Sequence, residues 1–301
     1  MLVRYSKPTG DIFGIKRALF DQNDDLQARL DRIAELYVRQ PRRTRCKNCD
    51  TGLAGSHFVK KGVGYTICEV CGHLNGDHED TDAFCAAVYT ADEGADYAAA
   101  YLASDRQAYR ERVASIYAPK AEFLFEGLRS VGRVPLDLRY ADIGAGAGYF
   151  VSALRSAGAD VQGFDVSAAQ AHFARAMDPA IEIITHDLAS TADVVREVKS
   201  EVISLIGVLE HLQRPRDVLG AVRDNSRAEF LYLSLPLFSP SVVIESVFPE
   251  VMQRQLGGGH THLYTEASIR RFSDEFDLTP VAEWWFGTDI MDLYRGVEIM
   301  L

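Results

Sequence analysis

Two apolar patterns alternate along the second half of the chain. Short apolar runs that end in polar residues or glycine are typical of buried strands, and apolar residues at intervals of three and four indicate one face of a helix. The predicted strands are Leu138–Ile143, Val161–Asp165, Ile181–Thr185, Val202–Ile206 and Phe230–Ser234. The predicted helices are Tyr149–Ala157, Ala168–Ala176, Thr191–Lys199 and Pro215–Asn225. This alternation predicts a parallel sheet covered by helices on both faces.

The first half of the chain shows helical spacing in two places. An apolar face formed by Leu26, Leu30, Ile33, Leu36 and Tyr37 predicts a helix that Pro41 ends. A second helical region is expected from about Asp96 to Val131, interrupted near Pro119, with four tyrosines roughly on one face: Tyr97, Tyr101, Tyr109 and Tyr117. These tyrosines fit either core packing or a lid over a ligand.

A glycine-rich turn follows the first of the predicted strands. Its sequence is Asp142-Ile143-Gly144-Ala145-Gly146-Ala147-Gly148. A turn of this kind lets a ligand lie against the main chain at a helix N-terminus. The GxGxG spacing departs from the GxGxxG of dinucleotide sites, and a carboxylate two positions ahead suits an ammonium group better than a pyrophosphate. We therefore expect S-adenosylmethionine rather than NAD, the alternative being a turn that only joins a strand to a helix.

Carboxylates also follow the next two predicted strands. Asp165 is placed to accept hydrogen bonds from both hydroxyls of a ribose, although Asp and Ser at this position are also common helix caps. Asp187 is placed to accept an adenine amino proton, with Leu188 covering the ring. Ligands of such sheets bind beyond the carboxyl ends of the strands, where these residues lie.

Four of the five cysteines form two CxxC pairs. Cys46 and Cys49 are separated by eighteen residues from Cys68 and Cys71, and Gly72 fits the tight turn after the second pair. This spacing predicts a zinc ribbon in which all four thiolates hold one structural Zn²⁺. The fifth, Cys85, lies in an apolar stretch and is expected to be a packed residue.

A histidine-rich loop follows the fifth predicted strand. After Gly257, Gly258 and Gly259 come His260, His262 and Tyr264. An imidazole titrates near neutral pH, so His260 or His262 is a candidate base for a hydroxyl that attacks a methyl group, with Tyr264 as a further candidate. The alternatives are a second metal site or a loop that only packs. His211 is expected to have a structural or cofactor-side role.

Composition limits the function classes. The chain has 301 residues, 47% of them hydrophobic, and a formal net charge of −11. It contains no apolar run long enough for a membrane span and no signal peptide, so we expect a cytoplasmic protein. The acidic balance argues against a surface built to hold nucleic acid. We therefore expect a small-molecule partner, while the oligomeric state stays open.

Four motifs occur in a familiar order: DIGAGAG, FDVS, HDL and VLEHLQRP. Together they resemble a class I S-adenosylmethionine-dependent methyltransferase over about residues 133–286. The resemblance implies an α/β, Rossmann-like, seven-stranded sheet whose last strand is antiparallel, with Ala282–Phe286 and Ile290–Leu301 as candidates for the final pair. It implies cofactor binding by Asp142, Gly144, Gly146, Gly148, Asp165, Val166, Asp187 and Leu188, with main-chain contacts at Gly207 and Val208.

The whole arrangement is similar to zinc-ribbon methyltransferases of bacterial deoxysugar and surface-polysaccharide pathways. The expected organisation is an N-terminal helical segment (1–45), a zinc ribbon (46–75), a helical linker or lid (76–132) and a cofactor-binding methyltransferase domain (133–301). Sugar carbon-methylating members carry a further C-terminal domain, whereas this sequence stops at Leu301. This comparison favours oxygen methylation of a sugar, sugar nucleotide or glycan.

Two other functions are compatible with the sequence. The first is RNA methylation, with the ribbon holding RNA through a cluster of basic residues: Arg42, Arg43, Arg45, Lys47, Lys60 and Lys61. The second is a non-catalytic scaffold, in which the ribbon and the N-terminal helix bind a protein partner.

Overall fold

Five parallel strands form the main sheet of the computed structural model. It describes residues 1–7, 21–55, 57–91, 102–248, 250–251, 254–257, 260–287 and 289–300. The strands of this part of the chain are β1 Leu2–Tyr5, β2 Phe58–Lys60, β3 Val63–Ile67, β4 Leu74–Gly76, β5 Arg139–Ile143, β6 Asp160–Asp165, β7 Ile183–Thr185, β8 Val202–Ile206, β9 Phe230–Ser234, β10 His262–Leu263 and β11 Ala282–Trp285. The main sheet has the order β7-β6-β5-β8-β9. The five strands predicted from the apolar runs are the five strands of this sheet.

Helices pack on both faces of this sheet, and its central strands β5, β6 and β8 are buried on both sides. The described α-helices are α1 Asn23–Tyr37, α2 Asp82–Cys85, α3 Arg106–Arg112, α4 Ala118–Ser130, α5 Tyr149–Ser156, α6 Ala168–Met177, α7 Thr191–Glu197, α8 Pro215–Asp224, α9 Pro240–Val247, α10 Glu266–Glu275 and α11 Asp289–Met300. One core cluster joins the sheet to α4, α5 and α6, and a second joins it to α7, α8 and α10. None of the described helices has both the length and the apolar character needed to cross a bilayer.

The expectation of a seven-stranded main sheet with a strand from Ile290 to Leu301 is not met in the described residues. Ala282–Trp285 is a strand, but it pairs in parallel with Leu2–Tyr5 instead of joining the main sheet. The C-terminal segment forms helix α11. Asp292 and Arg295, three residues apart, are both buried, and Asp292 accepts hydrogen bonds from Ser241 and Arg254. This spacing places both side chains on one inward face of a helix, whereas a strand would turn them to opposite sides.

The segment with the four cysteines is a small antiparallel sheet that a distant strand completes. We call residues 46–76 the ribbon segment. Its sheet has the order β10-β4-β3-β2, so that its edge strand β4 pairs with His262–Leu263 from the far end of the chain. Tyr37, Tyr65 and Leu263 belong to the apolar cluster beneath this sheet. The ribbon segment is therefore packed against the domain that contains the main sheet.

The helical region before the main sheet packs on the helix that follows the glycine turn. The Tyr109 ring stacks on the Tyr149 ring with centroids 4.7 Å apart, and its hydroxyl bonds to the Ala147 carbonyl and to Ser152. Tyr117 also stacks on Tyr149. Tyr97 and Tyr101, which the sequence places on the same face, lie outside the described residues.

Candidate active site

A cavity of about 1500 Å³ opens beyond the carboxyl ends of the main-sheet strands. Its walls come from the segments that follow β5, β6, β8 and β9, and from the loop that precedes β10. Parallel strands leave their carboxyl ends at one edge of the sheet, so the loops of distant sequence segments meet there. The predicted cofactor residues and the histidine loop therefore meet at a single cavity.

The glycine turn forms one wall and is held tightly in place. Gly144 has φ +70°, and a Cβ there would lie 2.5 Å from a methyl group of Val208. The amides of Gly144 and Ala145 both donate to the Phe164 carbonyl. Gly148 caps the N-terminus of α5. A side chain at Gly144 would push the turn away from the loop that carries Val208. The close packing of these two cavity walls therefore requires glycine at this position.

Asp142 is a buried carboxylate at the end of β5. It accepts a hydrogen bond of 2.6 Å from the Ser204 hydroxyl. Burial raises the pKa of Asp142 to about 7, although the Ser204 hydrogen bond opposes the shift; the nearby Asp165 raises the pKa further. A cationic group entering the cavity would favour the ionised form. The site is thus suited to the ammonium group of an amino acid moiety.

Asp165 holds the glycine turn and the next helix start together. Its two oxygens accept from the amides of Gly146, at 2.6 Å, and Ser167, at 2.8 Å. Burial raises the pKa of Asp165. The helix-capping role belongs to Ser167, whose hydroxyl accepts from the Gln170 amide. Asp165 and its neighbour Val166 also line the cavity.

The other predicted cofactor residues are divided between the cavity wall and its surroundings. Leu188, Gly207 and Val208 line the cavity, as does His186. Asp187 is exposed and does not line the cavity. Its main-chain carbonyl is close to the His186 ring, at 3.0 Å. On this side the structure brings His186 and Leu188 to the ligand space, while the Asp187 side chain faces solvent.

A polar cluster lies at another part of the cavity wall, in the loop after β8 and the loop before β10. It consists of Glu210, His211 and His260, and we call it the acceptor cluster. The two imidazole centroids are 4.9 Å apart. Burial raises the pKa of Glu210 to about 8 and lowers the pKa of His260 to about 4. Both imidazoles are therefore uncharged at neutral pH, because burial lowers the pKa of His211 as well.

The structure places the other two predicted catalytic residues away from the cavity. His262 and Tyr264 are fully buried and do not line it. The His262 ring contacts the His73 ring of the ribbon segment, with nitrogens 2.9 Å apart. The Tyr264 ring packs edge-on against His73 and Phe272. Both side chains therefore belong to the contact between the ribbon segment and the domain, and of the three predicted catalytic residues only His260 reaches the ligand space.

Comparisons with known proteins agree with this geometry. A sequence profile described as a methyltransferase domain matches residues 108–283, more than half of the chain. The chain belongs to this methyltransferase family. It is a class I S-adenosylmethionine-dependent methyltransferase. No curated protein sequence matches the chain.

Several solved structures are similar to this methyltransferase. The magnesium protoporphyrin IX methyltransferase ChlM from Synechocystis PCC 6803, with bound SAH, is 20% identical over 55% of this chain and 75% of its own, with a TM-score of 0.40. The plantazolicin methyltransferase BamL, in complex with a triazolic desmethylPZN analog and SAH, is 16% identical over 64% and 70% of the two chains, with a TM-score of 0.46. A TehB-like methyltransferase from Corynebacterium glutamicum is 21% identical over 46% and 72%, with a TM-score of 0.36.

The four predicted metal ligands of the methyltransferase converge on one point. Their sulfur atoms lie within 4.8 Å of one another, with 3.7 Å between Cys46 and Cys71 and 3.6 Å between Cys49 and Cys68. Sulfurs at the corners of a tetrahedron around an ion with Zn–S bonds of about 2.3 Å lie about 3.8 Å apart. These distances fit a tetrahedral ion and are far too long for disulfides.

The residues after each cysteine pair explain how the ligands are presented. Asp50 and Gly72, each directly after the second cysteine of a pair, have φ of 58° and 69°. Their amides donate to the carbonyls of Cys46 and Cys68. Each pair is thus on a tight turn that directs both thiols inward. The glycine that the sequence indicated for such a turn occurs in the second pair, whereas Asp50 adopts the same conformation in the first.

Several cavity residues of the methyltransferase were not assigned to the site from the sequence, among them Tyr89, Lys120 and Glu210. Glu210 lies within the VLEHL motif, and Tyr89 and Lys120 come from the region before the main sheet. Lys120 donates to the Ser234 hydroxyl at 2.8 Å, and burial lowers its pKa to about 8. In the sequence, Lys120 looks like a charged residue on the solvent-exposed face of a helix. Only the fold shows that its helix faces the strand ends.

Proposed function

We propose that the methyltransferase transfers the methyl group of S-adenosylmethionine to a hydroxyl oxygen of a sugar, a sugar nucleotide or a glycan end. The observation that carries the proposal is the acceptor cluster, two uncharged imidazoles beside a buried carboxyl group on the wall of the cofactor cavity. A hydroxyl acceptor requires polar partners and a group that handles its proton. A purely apolar acceptor would give no partner to the buried Glu210 Oε2, which has none within the described residues.

The cofactor would lie across the strand ends. Asp142 would pair with its ammonium group, and Asp165 would accept from the ribose hydroxyls. His186 and Leu188 would border the adenine, and the main chain at Gly207 and Val208 would complete the wall. The side chain of Asp187 is exposed. In this arrangement Asp187 would therefore contribute to the cofactor site through the conformation of its turn and not through its carboxylate.

The transfer itself needs little covalent chemistry from the protein. The hydroxyl oxygen attacks the methyl carbon, so that an O–C bond forms while the C–S bond breaks and its electron pair returns to sulfur. The products are the methyl ether and S-adenosylhomocysteine, and the hydroxyl proton is released at the acceptor cluster. The contribution of the protein is to align oxygen, carbon and sulfur, which is the main source of acceleration for such a displacement.

We propose that the four cysteines hold one structural Zn²⁺. Four buried thiolates at tetrahedral spacing leave no open coordination position, so the ion would stabilise the ribbon segment without touching the acceptor. The apolar core of the ribbon segment itself is small, so the ion would add to the stability that this segment gains by packing against the domain.

The cations around the ribbon segment do not support RNA as the acceptor. Each of the six basic residues that suggested RNA binding has a carboxylate partner within 4.0 Å: Arg42 with Asp77, Arg43 with Glu79 and Asp80, Arg45 with Asp50, Lys47 with Asp80, Lys60 with Glu245, and Lys61 with Asp31. Cations that neutralise neighbouring carboxylates contribute little to a phosphate-binding surface. This pairing favours a small acceptor over RNA.

A two-step experiment tests the proposed function. Calorimetry with S-adenosylhomocysteine measures cofactor binding, and mass spectrometry then measures methylated product for a panel of sugar nucleotides and oligosaccharides. We expect His260→Ala to lower turnover by about 100-fold, a typical contribution of proton handling, with cofactor affinity within about twofold of the wild type. His172→Ala, which removes an exposed imidazole from α6, is the matched control.

The outcomes separate the parts of the proposal. Cofactor binding without product from any carbohydrate would reject the acceptor class. Full turnover of His260→Ala would reject the role of the acceptor cluster. Methylation of RNA, with binding that weakens steeply as salt is added, would favour the alternative.

A further inference from the structure

The acceptor cluster has the composition of a metal site. Glu210, His211 and His260 each offer one ligand atom, and these three atoms lie within 4.8 Å of one another. The ligands come from two loops about fifty positions apart in the sequence, which the fold brings to one point of the cavity wall. Two imidazoles and one carboxylate form the ligand set of many mononuclear transition-metal sites, in which the remaining positions stay open for substrate.

Glu210 is the first observation that points to a ligand. The residue is 2% exposed, and its Oε2 atom has no hydrogen-bond partner within the described residues. A buried carboxylate oxygen without a partner is costly, since it has lost water and gained nothing in return. A cation bound beside it would supply the missing partner.

The orientation of His260 is the second observation. Its Nδ1 lies 3.0 Å from the Gln255 carbonyl oxygen. A carbonyl only accepts hydrogen bonds, so Nδ1 carries the hydrogen and Nε2 keeps its lone pair. Metal-binding histidines generally donate their second ring nitrogen to a carbonyl or a carboxylate in this way, which sets the tautomer and the ring orientation.

His211 is held in a comparable manner. Its Nδ1 is 3.4 Å from the hydroxyl of Tyr89, another residue of the cavity wall. With Nδ1 as the donor of this bond, the Nε2 atom on the opposite side of the ring keeps the lone pair that can complete the set. Both imidazoles are thus anchored through Nδ1, as in a site whose ligands are oriented before the ion arrives.

We propose that Glu210, His211 and His260 bind one divalent transition-metal cation, which holds the acceptor oxygen next to the methyl group. This inference rests on the proposed function and specifies how the acceptor cluster acts. A coordinated hydroxyl loses its proton more readily, here to water at the open side of the cavity. The oxygen then forms the O–C bond while the C–S electron pair returns to sulfur, and His260 is a ligand in this step and not a base.

Manganese is the probe that separates this site from the four cysteines. Mn²⁺ binds carboxylate in preference to thiolate, whereas a four-thiolate site prefers zinc. The experiment uses the full chain loaded with zinc and saturated with S-adenosylhomocysteine. Electron paramagnetic resonance of free Mn²⁺ then counts the bound ion without any acceptor present.

We expect one Mn²⁺ per chain in the wild type and in the control His172→Ala. Glu210→Gln and His260→Ala should each weaken Mn²⁺ binding at least about tenfold, since the loss even of an outer partner typically costs that much. Cofactor affinity and zinc content verify that each variant is folded. Unchanged Mn²⁺ affinity in both variants, or no Mn²⁺ binding by the wild type, would overturn the inference.

A second measurement distinguishes failure of the inference from failure of the proposed function. Turnover is measured after a chelator has removed loosely held cations, with zinc content checked by elemental analysis. We expect turnover to fall and to return when Mn²⁺ is added. Full turnover without added cation would reject the metal site and leave sugar methylation intact, whereas Mn²⁺ binding without product from any carbohydrate would reject the acceptor class and leave the metal site intact.

Discussion

Replacement of Lys47 by Met tests how the ribbon segment supports the active site. Lys47 lies between Cys46 and Cys49, and its side chain is 1% exposed. Its ammonium group donates to Asp80 and, at 2.7 Å, to the carbonyl of Leu212 in the loop that carries Glu210 and His211. The variant removes the cation and both of these bonds, and retains a side chain of similar length.

The expected loss of stability depends on the two polar groups that lose Lys47 as a partner. Asp80 keeps an ion pair with Arg43 at 3.3 Å, so its negative charge still has one cationic partner. Breaking a buried ion pair costs about 3–5 kcal/mol, and the remaining pair places this variant near the lower end, at about 3 kcal/mol. The Leu212 carbonyl loses its buried donor as well, which frees the loop to move. Turnover should therefore fall about tenfold, because a small misplacement of aligned groups is costly, while cofactor affinity changes little.

Equilibrium unfolding in urea with zinc present measures the stability change. Lys61→Met is the matched control, because Lys61 makes only a partly exposed pair with Asp31 at 4.0 Å. Pairs of this kind contribute about 0–1 kcal/mol. If Lys47→Met were as stable and as active as Lys61→Met, the ribbon segment would not support the loop in the way described.

Three further predictions concern the cofactor and metal sites. Since burial raises the pKa of Asp142 to about 7 and the ionised form attracts the ammonium group, S-adenosylhomocysteine affinity measured by calorimetry should rise with pH up to about 7 and then level off; Asp142→Asn should remove this dependence. Asp165→Ala should weaken cofactor binding by about 10–100-fold, since each bond to a charged group is worth about 1.5–3 kcal/mol, and unchanged affinity would contradict its role. Cys46→Ala should lose the bound zinc in elemental analysis and unfold at lower temperature, whereas Cys85→Ala, which alters a buried thiol outside the ribbon segment, should keep the metal.

Local patterns in the sequence were sufficient to predict most of the main sheet. The strand Val202–Ile206 is an apolar run, interrupted by Ser204, that is buried in the structure, and the glycine turn after Ile143 has the spacing of a ligand-binding turn. The cysteine pairs are equally local signals. In each case a few neighbouring residues determine the conformation, so no knowledge of distant contacts is required.

Contacts between distant segments could not be predicted in the same way. His260, His262 and Tyr264 are equivalent in the sequence, but the pairing of His262–Leu263 with β4 turns His262 toward His73 and leaves His260 at the cavity. Only the fold shows that His211 lies beside His260. The pairing of Ala282–Trp285 with Leu2–Tyr5 is likewise decided by two segments at opposite ends of the chain.

The pairing of β10 with β4 also bears on the order in which the protein is made. Leu74 and Asn75 leave the ribosome almost two hundred residues before Leu263 and His262, the partners they meet in the finished sheet. The interval is longer still for strand β1, whose partner Ala282–Trp285 is synthesised near the end of the chain. The amino-terminal quarter of the nascent chain therefore has an open strand edge, the kind of surface that pairs with other chains. Early capture of a metal ion by the four cysteines would stabilise this segment during synthesis, and a cell short of that ion would risk aggregation of the chain before its translation was complete.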